Sequence, residues 1–268
     1  MIVTELLQAE AIRARLRTRR VGCQLYVLRE VDSTNAQARR LARGGAPDGT
    51  AVLAEGQTAG RGRRGQPWFS PSGVNLYASV LLRPSLRPRD LGLFSLLPSL
   101  ALADAVREAG AMPAIKWPND VLVHDKKVGG SLMECALRGE EIDYVILGVG
   151  VNLNVDPEVL RGALGPSGAF ATSLAAAVGH EIDRNAFAAA FLNHLDRRLD
   201  GWTTEGPSAV LRAWQERDIL TGRRVEVRGR DARFEAWVVG LDPSGGLRVR
   251  DTLGHHHLLT SEEVRLLD

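Results

Sequence analysis

Residues 56–68 read Gly56-Gln57-Thr58-Ala59-Gly60-Arg61-Gly62-Arg63-Arg64-Gly65-Gln66-Pro67-Trp68. Four glycines and a proline in thirteen residues exclude regular structure and predict a loop. Inside it, Gly60 to Gly65 fits the pattern G-x-G-x-x-G. A dinucleotide-binding turn needs a strand before those glycines, a helix directly after them, and an acidic residue about twenty positions on. Here Gln66-Pro67-Trp68-Phe69-Ser70-Pro71 follows, which does not open a helix. Three arginines also crowd a turn that would rely on backbone amides. The doubly wound dinucleotide fold is therefore rejected, and no G-x-x-x-x-G-K-[S/T] loop occurs elsewhere. What remains is a loop carrying Arg61, Arg63 and Arg64 and ending at Trp68. Guanidinium groups pair bidentately with carboxylate or phosphate, and an indole face stacks on a fused ring. The same residues also suit a solvated basic loop with Trp68 packed in the core.

Outward from this loop, 50–55 reads as a short strand and 74–83 as a strong one. Upstream, 23–31 reads as a strand. It is followed by Asp32-Ser33-Thr34-Asn35, a helix N-cap signal, and a helix that ends at Gly44-Gly45. Residues 4–18 read as one amphipathic or basic helix. Residues 93–110 read as an apolar helix bent at Pro98. After Lys116-Trp117-Pro118-Asn119-Asp120 come a short strand, a turn at 124–127, and two long apolar strands suited to a buried sheet. From 156 to about 217 the pattern is helical, clearest over 186–202. From Thr221 onward four short alternating strands separated by Gly, Asp and Pro suggest a small β-barrel and a domain boundary near 220.

Composition narrows the class. The 268 residues are 44% hydrophobic and 25% charged, as in a soluble globular protein rather than a disordered, collagen-like or membrane one. No apolar run reaches the length of a spanning helix, and the first residues lack a secretory-signal pattern. Two cysteines, Cys23 and Cys135, give no disulfide framework, so a reducing cytoplasm is expected. Both fall in apolar segments and read as small core residues. A net charge of +2 argues against a dedicated nucleic-acid binder. Of 34 basic residues only Lys116, Lys126 and Lys127 are lysines, and all lie within twelve positions. Lysine is a compact point charge where arginine is a fork, so the clustering either marks a need for the smaller group or is chance.

Two further segments present polar groups from constrained backbone. Pro118 stiffens the turn from which Lys116, Asn119 and Asp120 project. If 119–123 and 129–138 are adjacent strands, Lys116 and Lys127 reach one pocket, and Gly129-Gly130 lets backbone approach a ligand. Gly148-Val149-Gly150-Val151-Asn152 ends a strand whose glycines admit a ligand or another backbone, or mark a bulge.

In this order and spacing, Ser33-Thr34-Asn35, Gln57 to Gly65 with Trp68, the block at 116–120, Lys127 with Gly129-Gly130, and Gly148 to Asn152 resemble the biotin protein ligases. The resemblance is strong over about residues 25–155. It implies an α+β fold: a mixed central sheet flanked by helices, like that of class II aminoacyl-tRNA synthetases, with a small C-terminal SH3-like β-barrel. The expected division is a catalytic domain over 1–220 and a barrel over 221–268.

The resemblance also implies a reaction and its participants. Biotin and ATP give biotinyl-5′-AMP, and a lysine of a biotin carboxyl carrier protein then takes the biotinyl group. Two anions must meet, so fixed cations matter more than a protein nucleophile. By position, Ser33, Thr34, Asn35 and Gln57 hold the ureido ring, and Gly130, Leu132 and Gly148 wall the biotin pocket. Arg61, Gly62 and Arg63 bind and cover biotin and the adenylate, with both arginines in the catalytic set. Lys127 is the catalytic lysine beside the biotin carboxylate. Trp68 packs near adenine, and Lys116, Asn119, Asp120 and Asn152 face the nucleotide. Mg²⁺ is expected on ATP oxygens, with no protein metal site.

Some features depart from the family or stand outside it. Gln66 replaces the arginine usual at that place, and Pro67 follows. About 22 residues precede the first catalytic strand, too few for a winged-helix reader, so no operator binding is expected. No membrane contact is expected, and a homodimer is implied only by analogy with bacterial enzymes. His255-His256-His257 alternate across a strand and read as a hairpin rim rather than a metal site. Trp202, Trp214 and Trp237 read as packing residues. The rivals are a lipoate–protein ligase of the same fold and a non-catalytic biotin sensor.

Overall fold

The computed structural model describes residues 6–229 and 233–267. It opens with α1 (Ala9–Arg13), β1 (Leu25–Val31), α2 (Thr34–Arg43), β2 (Ala51–Gln57) and β3 (Leu76–Leu82). Then come α3 (Leu91–Phe94), α4 (Leu97–Glu108), β4 (Ala114–Lys116), β5 (Asp120–Val123), β6 (Lys126–Arg138) and β7 (Glu141–Val151). A helical stretch follows: α5 (Pro157–Leu164), α6 (Leu174–Val178), α7 (Arg184–Glu205) and α8 (Pro207–Gln215). Five short strands close the chain: β8 (Arg224–Arg228), β9 (Arg233–Leu241), β10 (Leu247–Asp251), β11 (His256–Leu259) and β12 (Glu263–Leu266).

The first seven strands form one sheet in the order β1-β2-β3-β7-β6-β5-β4. β1 and β2 run parallel, and the other neighbours are antiparallel, so the sheet is mixed. The last five strands form an antiparallel sheet in the order β11-β10-β9-β8-β12. Among the described residues no helix is long and apolar enough to cross a membrane.

Side-chain size decides which face of the central sheet is filled. Ala78, Val80 and Leu82 of β3 and Val145, Leu147 and Val149 of β7 belong to the main core, together with α4 and α7 residues such as Leu100, Leu102, Phe191 and Leu195. On the opposite face, Ala38 and Ala42 of α2 pack on Val52, Leu81, Tyr144 and Ile146. Further along that second face β7 carries Gly148, which faces Asn35 in the first turn of α2, and Gly150, which faces Trp68. The site lies along this stretch.

Several expectations change. The helix expected over 4–18 is α1 alone, and residues 4 and 5 lie outside the described residues. After local bonds from Arg15 to Ile12 (3.0 Å) and Leu16 to Arg13 (3.1 Å), the backbone donors of Arg17 and of Arg19 to Val21 find tertiary acceptors instead of a helical ladder. The Asp196 carboxylate on α7 accepts the N–H groups of Arg19 (2.8 Å), Arg20 (3.2 Å) and Val21 (2.8 Å), and Asn193 takes that of Arg17. The run 93–110 is two helices rather than one bent at Pro98. Pro98 sits in the first turn of α4, where its missing N–H costs nothing. Ser33 occupies the N-cap of α2 but makes no side-chain cap.

Cys23 and Cys135 are exposed, not core. Cys23 precedes β1, with its Sγ on the Asp48 carbonyl at 3.0 Å, and Cys135 lies in the half of β6 that emerges from cover. Trp214 is fully buried and Trp202 meets Phe94 edge-on at 5.3 Å, but Trp237 is 45% exposed. β12 is a fifth strand that the alternation did not reveal. The histidine run is a hairpin rim: His255 and His257 both face Asp251, at 3.3 and 2.8 Å. His257 beside it holds that carboxyl down at about 2.

Candidate active site

The sheet's register builds the floor in rows. Ser79 of β3 stands opposite Gly148 of β7, which stands opposite Leu132 of β6. In the next row Tyr77, Gly150, Gly130 and Asp120 stand side by side across β3, β7, β6 and β5. The two β7 glycines make room for neighbouring side chains. A Cβ on Gly148 would come within 2.1 Å of Asn35 Oδ1, and one on Gly150 within 2.4 Å of Trp68 Nε1. The expected close approach is therefore to Asn35 and Trp68, which themselves line the cavity.

β5 and β6 join through His124 and Asp125, both in left-handed conformation (φ 50° and 59°), as a tight two-residue hairpin requires. Just beyond, the pairing register shifts: Val121 faces Gly129 but Leu122 faces Lys127. The shift is a β-bulge, and it matters because strand side chains alternate. Lys127 and Gly130 are three apart and would point to opposite faces of a regular strand. The extra residue returns them to one face. A Cβ on Gly130 would lie 3.4 Å from Lys127 Cε.

Lys127 Nζ lies 2.6 Å from Asp120 Oδ1 and 5.2 Å from the centre of the Trp68 ring. Arg63 stacks over Trp117 at 5.9 Å. The Trp117 indole N–H donates to the Gly245 carbonyl at 3.1 Å and so ties the second sheet to the 116–120 turn. Burial pushes Lys116 below the ordinary lysine range while the Asp120 charge opposes it, and Arg63 is shifted in the same way. Asn119 Nδ2 donates to the Ser131 carbonyl at 2.6 Å, and Asn152 Nδ2 to that of Thr172 at 3.2 Å.

Polar groups at the start of α2 form a directed chain. Ser70 donates to the Trp68 carbonyl, Gln57 Nε2 donates to Ser70, and Gln57 Oε1 accepts the Thr34 N–H, each at 2.9 Å. The arginine loop closes on itself through Gly62 N–H to the Gln66 carbonyl (2.7 Å) and Trp68 N–H to the Gly60 carbonyl (2.9 Å).

All sixteen residues given a site role by the resemblance line one cavity of about 1300 Å³. They are Ser33, Thr34, Asn35, Gln57, Arg61, Gly62, Arg63, Trp68, Lys116, Asn119, Asp120, Lys127, Gly130, Leu132, Gly148 and Asn152. Lys126, the third lysine, is exposed at the hairpin and lies outside it. Eight arginines and lysines line the cavity against four acidic residues, so it is electropositive. No histidine or cysteine lines it, so among the described residues it lacks the parts of a His-assisted nucleophile.

Sequence reasoning missed the second sheet's share of the wall. Arg228, Glu262, Glu263 and Arg265 all face the cavity. They sit on, or in the case of Glu262 just before, short charged strands far along the chain, and no local spacing links them to the loop. Leu160, Leu164 and Phe170 on the far rim were missed for the same reason.

The comparisons point one way. Residues 27–152 match the model of the biotin/lipoate A/B protein ligase family. A biotin–[acetyl-CoA-carboxylase] ligase of Paracoccus denitrificans is 35% identical, over 88% of this chain and 98% of its own length. The bifunctional ligase/repressor BirA of Bacillus subtilis is 32% identical over 92% of this chain and 76% of its own. The solved biotin protein ligase of Aquifex aeolicus, in complex with biotin and ATP, superposes with a TM-score of 0.76 at 30% identity. It covers 91% of this chain and 99% of its own.

Proposed function

This chain belongs to the biotin protein ligases of the biotin/lipoate A/B protein ligase family, and we infer that it joins biotin to protein at the expense of ATP. The biotin carboxylate attacks the α-phosphorus of ATP, the bond to the β-phosphate oxygen breaks, and pyrophosphate leaves biotinyl-5′-AMP. A neutral lysine amine of a biotin carboxyl carrier protein then attacks the acyl carbon. AMP departs, one proton is released, and an amide remains. The observation that carries this reading is the electropositive cavity, built from segments as far apart as Ser33 and Asn152.

The substrates supply both nucleophiles, and the chain supplies position and charge. Ser33, Thr34, Asn35 and Gln57 receive the ureido ring, with Gly130, Leu132 and Gly148 as the wall beside it. Lys127 sits between the biotin carboxylate and the α-phosphate, reducing the repulsion between them and stabilising charge as the new bond forms. Lys116, Asn119, Asp120 and Asn152 take the phosphates, and Arg61, Gly62 and Arg63 close over the adenylate beside Trp68. Oxygens of Asp120, Asn119 and Asn152 would suit a Mg²⁺ carried by the ATP phosphates, which would supply further positive charge there. Residues 1–220 form the catalytic domain in this reading and 221–268 a small SH3-like barrel, supported by the separate sheet of β8–β12. A cytoplasmic setting fits two unpaired thiols.

The decisive assay supplies ATP, a carrier domain, and biotin or lipoate. Pyrophosphate release with biotin and a biotinyl mass increment on a carrier lysine are expected; release with lipoate alone overturns the reading. A second expectation concerns the loop over 58–70. Arg61 and Arg64 are exposed, and bound anions give them partners. Trypsin cleavage there should slow by about tenfold when biotin and ATP are present, if closure holds the loop against opening about 90% of the time. Equal cleavage in both states counts against closure.

A further inference from the structure

Behind the cavity floor lies a serine that no motif marks. Ser79 is fully buried, yet its one hydroxyl touches two of the groups that line the cavity. Ser79 Oγ is 2.6 Å from Asn35 Oδ1 and 2.8 Å from Thr34 Oγ1. A hydroxyl has one proton, so it donates to only one of them.

The surrounding network decides which. The Asn35 amide is oriented by its Nδ2, which donates to the Leu132 carbonyl at 3.4 Å. Its Oδ1 therefore faces Ser79 and can only accept. Ser79 gives its proton to Asn35, and Thr34 must give its own proton to Ser79. The other acceptor near Thr34 Oγ1, Gln57 Oε1, lies farther away at 3.3 Å and already accepts the Thr34 N–H. With its proton turned inward, Thr34 Oγ1 has only lone pairs left to offer the cavity.

We propose that Ser79 is a positioning residue that makes Thr34 a hydrogen-bond acceptor and thereby selects a head group with an N–H to donate, a cyclic urea, over one without. This rests on the biotin reading above, and it names the physical basis of the choice between biotin and lipoate. A dithiolane ring has no N–H and leaves the oriented Thr34 oxygen unpaired and desolvated, the more costly outcome. Acting behind the wall, Ser79 influences affinity for the ring and has no part in the phosphoryl step.

The test is a double-mutant cycle on pyrophosphate release. Ser79→Ala should raise KM for biotin by about tenfold, with kcat and KM for ATP changed by less than about twofold. It should also narrow the preference for biotin over lipoate. Ser79→Cys, which keeps the size and a weak donor, should fall between. In a Thr34→Val background Ser79→Ala should cost much less than in the wild type, because no hydroxyl is left to orient and only the Asn35 Oδ1 loses its donor. Effects that simply add, or a KM for ATP that rises in step with that for biotin, overturn the proposal. If Ser79→Ala melts before assay, Ser79→Cys carries the same cycle. A wild-type chain that releases no pyrophosphate with biotin sinks the ligase reading instead, a result distinct from an active ligase whose Ser79 variants bind biotin unchanged.

Discussion

Lys127→Ala is expected to slow single-turnover formation of biotinyl-5′-AMP by about a thousandfold, while biotin affinity changes by less than about tenfold. The asymmetry follows from where the ammonium stands. Lys127 Nζ rests 2.6 Å from Asp120 and over the Trp68 face, on the cavity side of the β6 bulge. Its contacts are with Asp120 and Trp68, not with the polar groups at the start of α2 proposed for the ring. Its charge is worth most where two anions are pressed together, and that happens only as the carboxylate attacks phosphorus. Removing it also leaves Asp120 without its cation, and this adds to the repulsion felt by the phosphates. Rapid-quench measurement of the adenylate beside equilibrium biotin binding separates the two effects. An unchanged single-turnover rate would refute the role.

Arg184→Leu should cost about 3–5 kcal/mol of stability, because it strands a carboxylate in the core. Arg184 and Glu55 are 1% and 5% exposed at their side chains, with Arg184 Nη1 2.7 Å from Glu55 Oε2. The same Nη1 donates to the Asn75 carbonyl at 3.3 Å, and Glu55 Oε1 accepts the backbone N–H of Leu7. One ion pair thus joins β2, the approach to β3, the first turn of α7 and the N-terminal segment. A folded domain holds only about 5–15 kcal/mol in reserve, so the variant should show a clear fall in its urea midpoint. The cost comes from the unpaired charge, not from loss of attraction, so Glu55→Leu combined with Arg184→Leu should recover most of it. A double variant as unstable as the single one would place the cost in packing.

The candidate site was unusually legible in sequence because its residues come in short runs whose types are chemically specific. Arginines between glycines, a lysine before a stiff Trp-Pro turn and glycines inside an apolar strand each mark a local need. The fold was less so. Arg17 to Val21 carry no signal that their N–H groups belong to Asn193 and Asp196, more than 170 residues away. Cys135 looked apolar enough for the core, but exposure along β6 depends on how far its neighbours extend.

By itself the sequence determined the strand–loop–strand grammar around Gly60 and the exclusion of a dinucleotide turn, which follow from residue type and spacing, and its family resemblance picked out side chains that line one cavity. Only the tertiary structure decided three things. The bulge in β6 returns Lys127 to the face of Gly130. Glu262, Glu263 and Arg265 complete the wall from the second sheet. A buried serine on β3 directs the protons of the floor. Each depends on cross-strand register and on contacts between distant segments, and no local pattern encodes those.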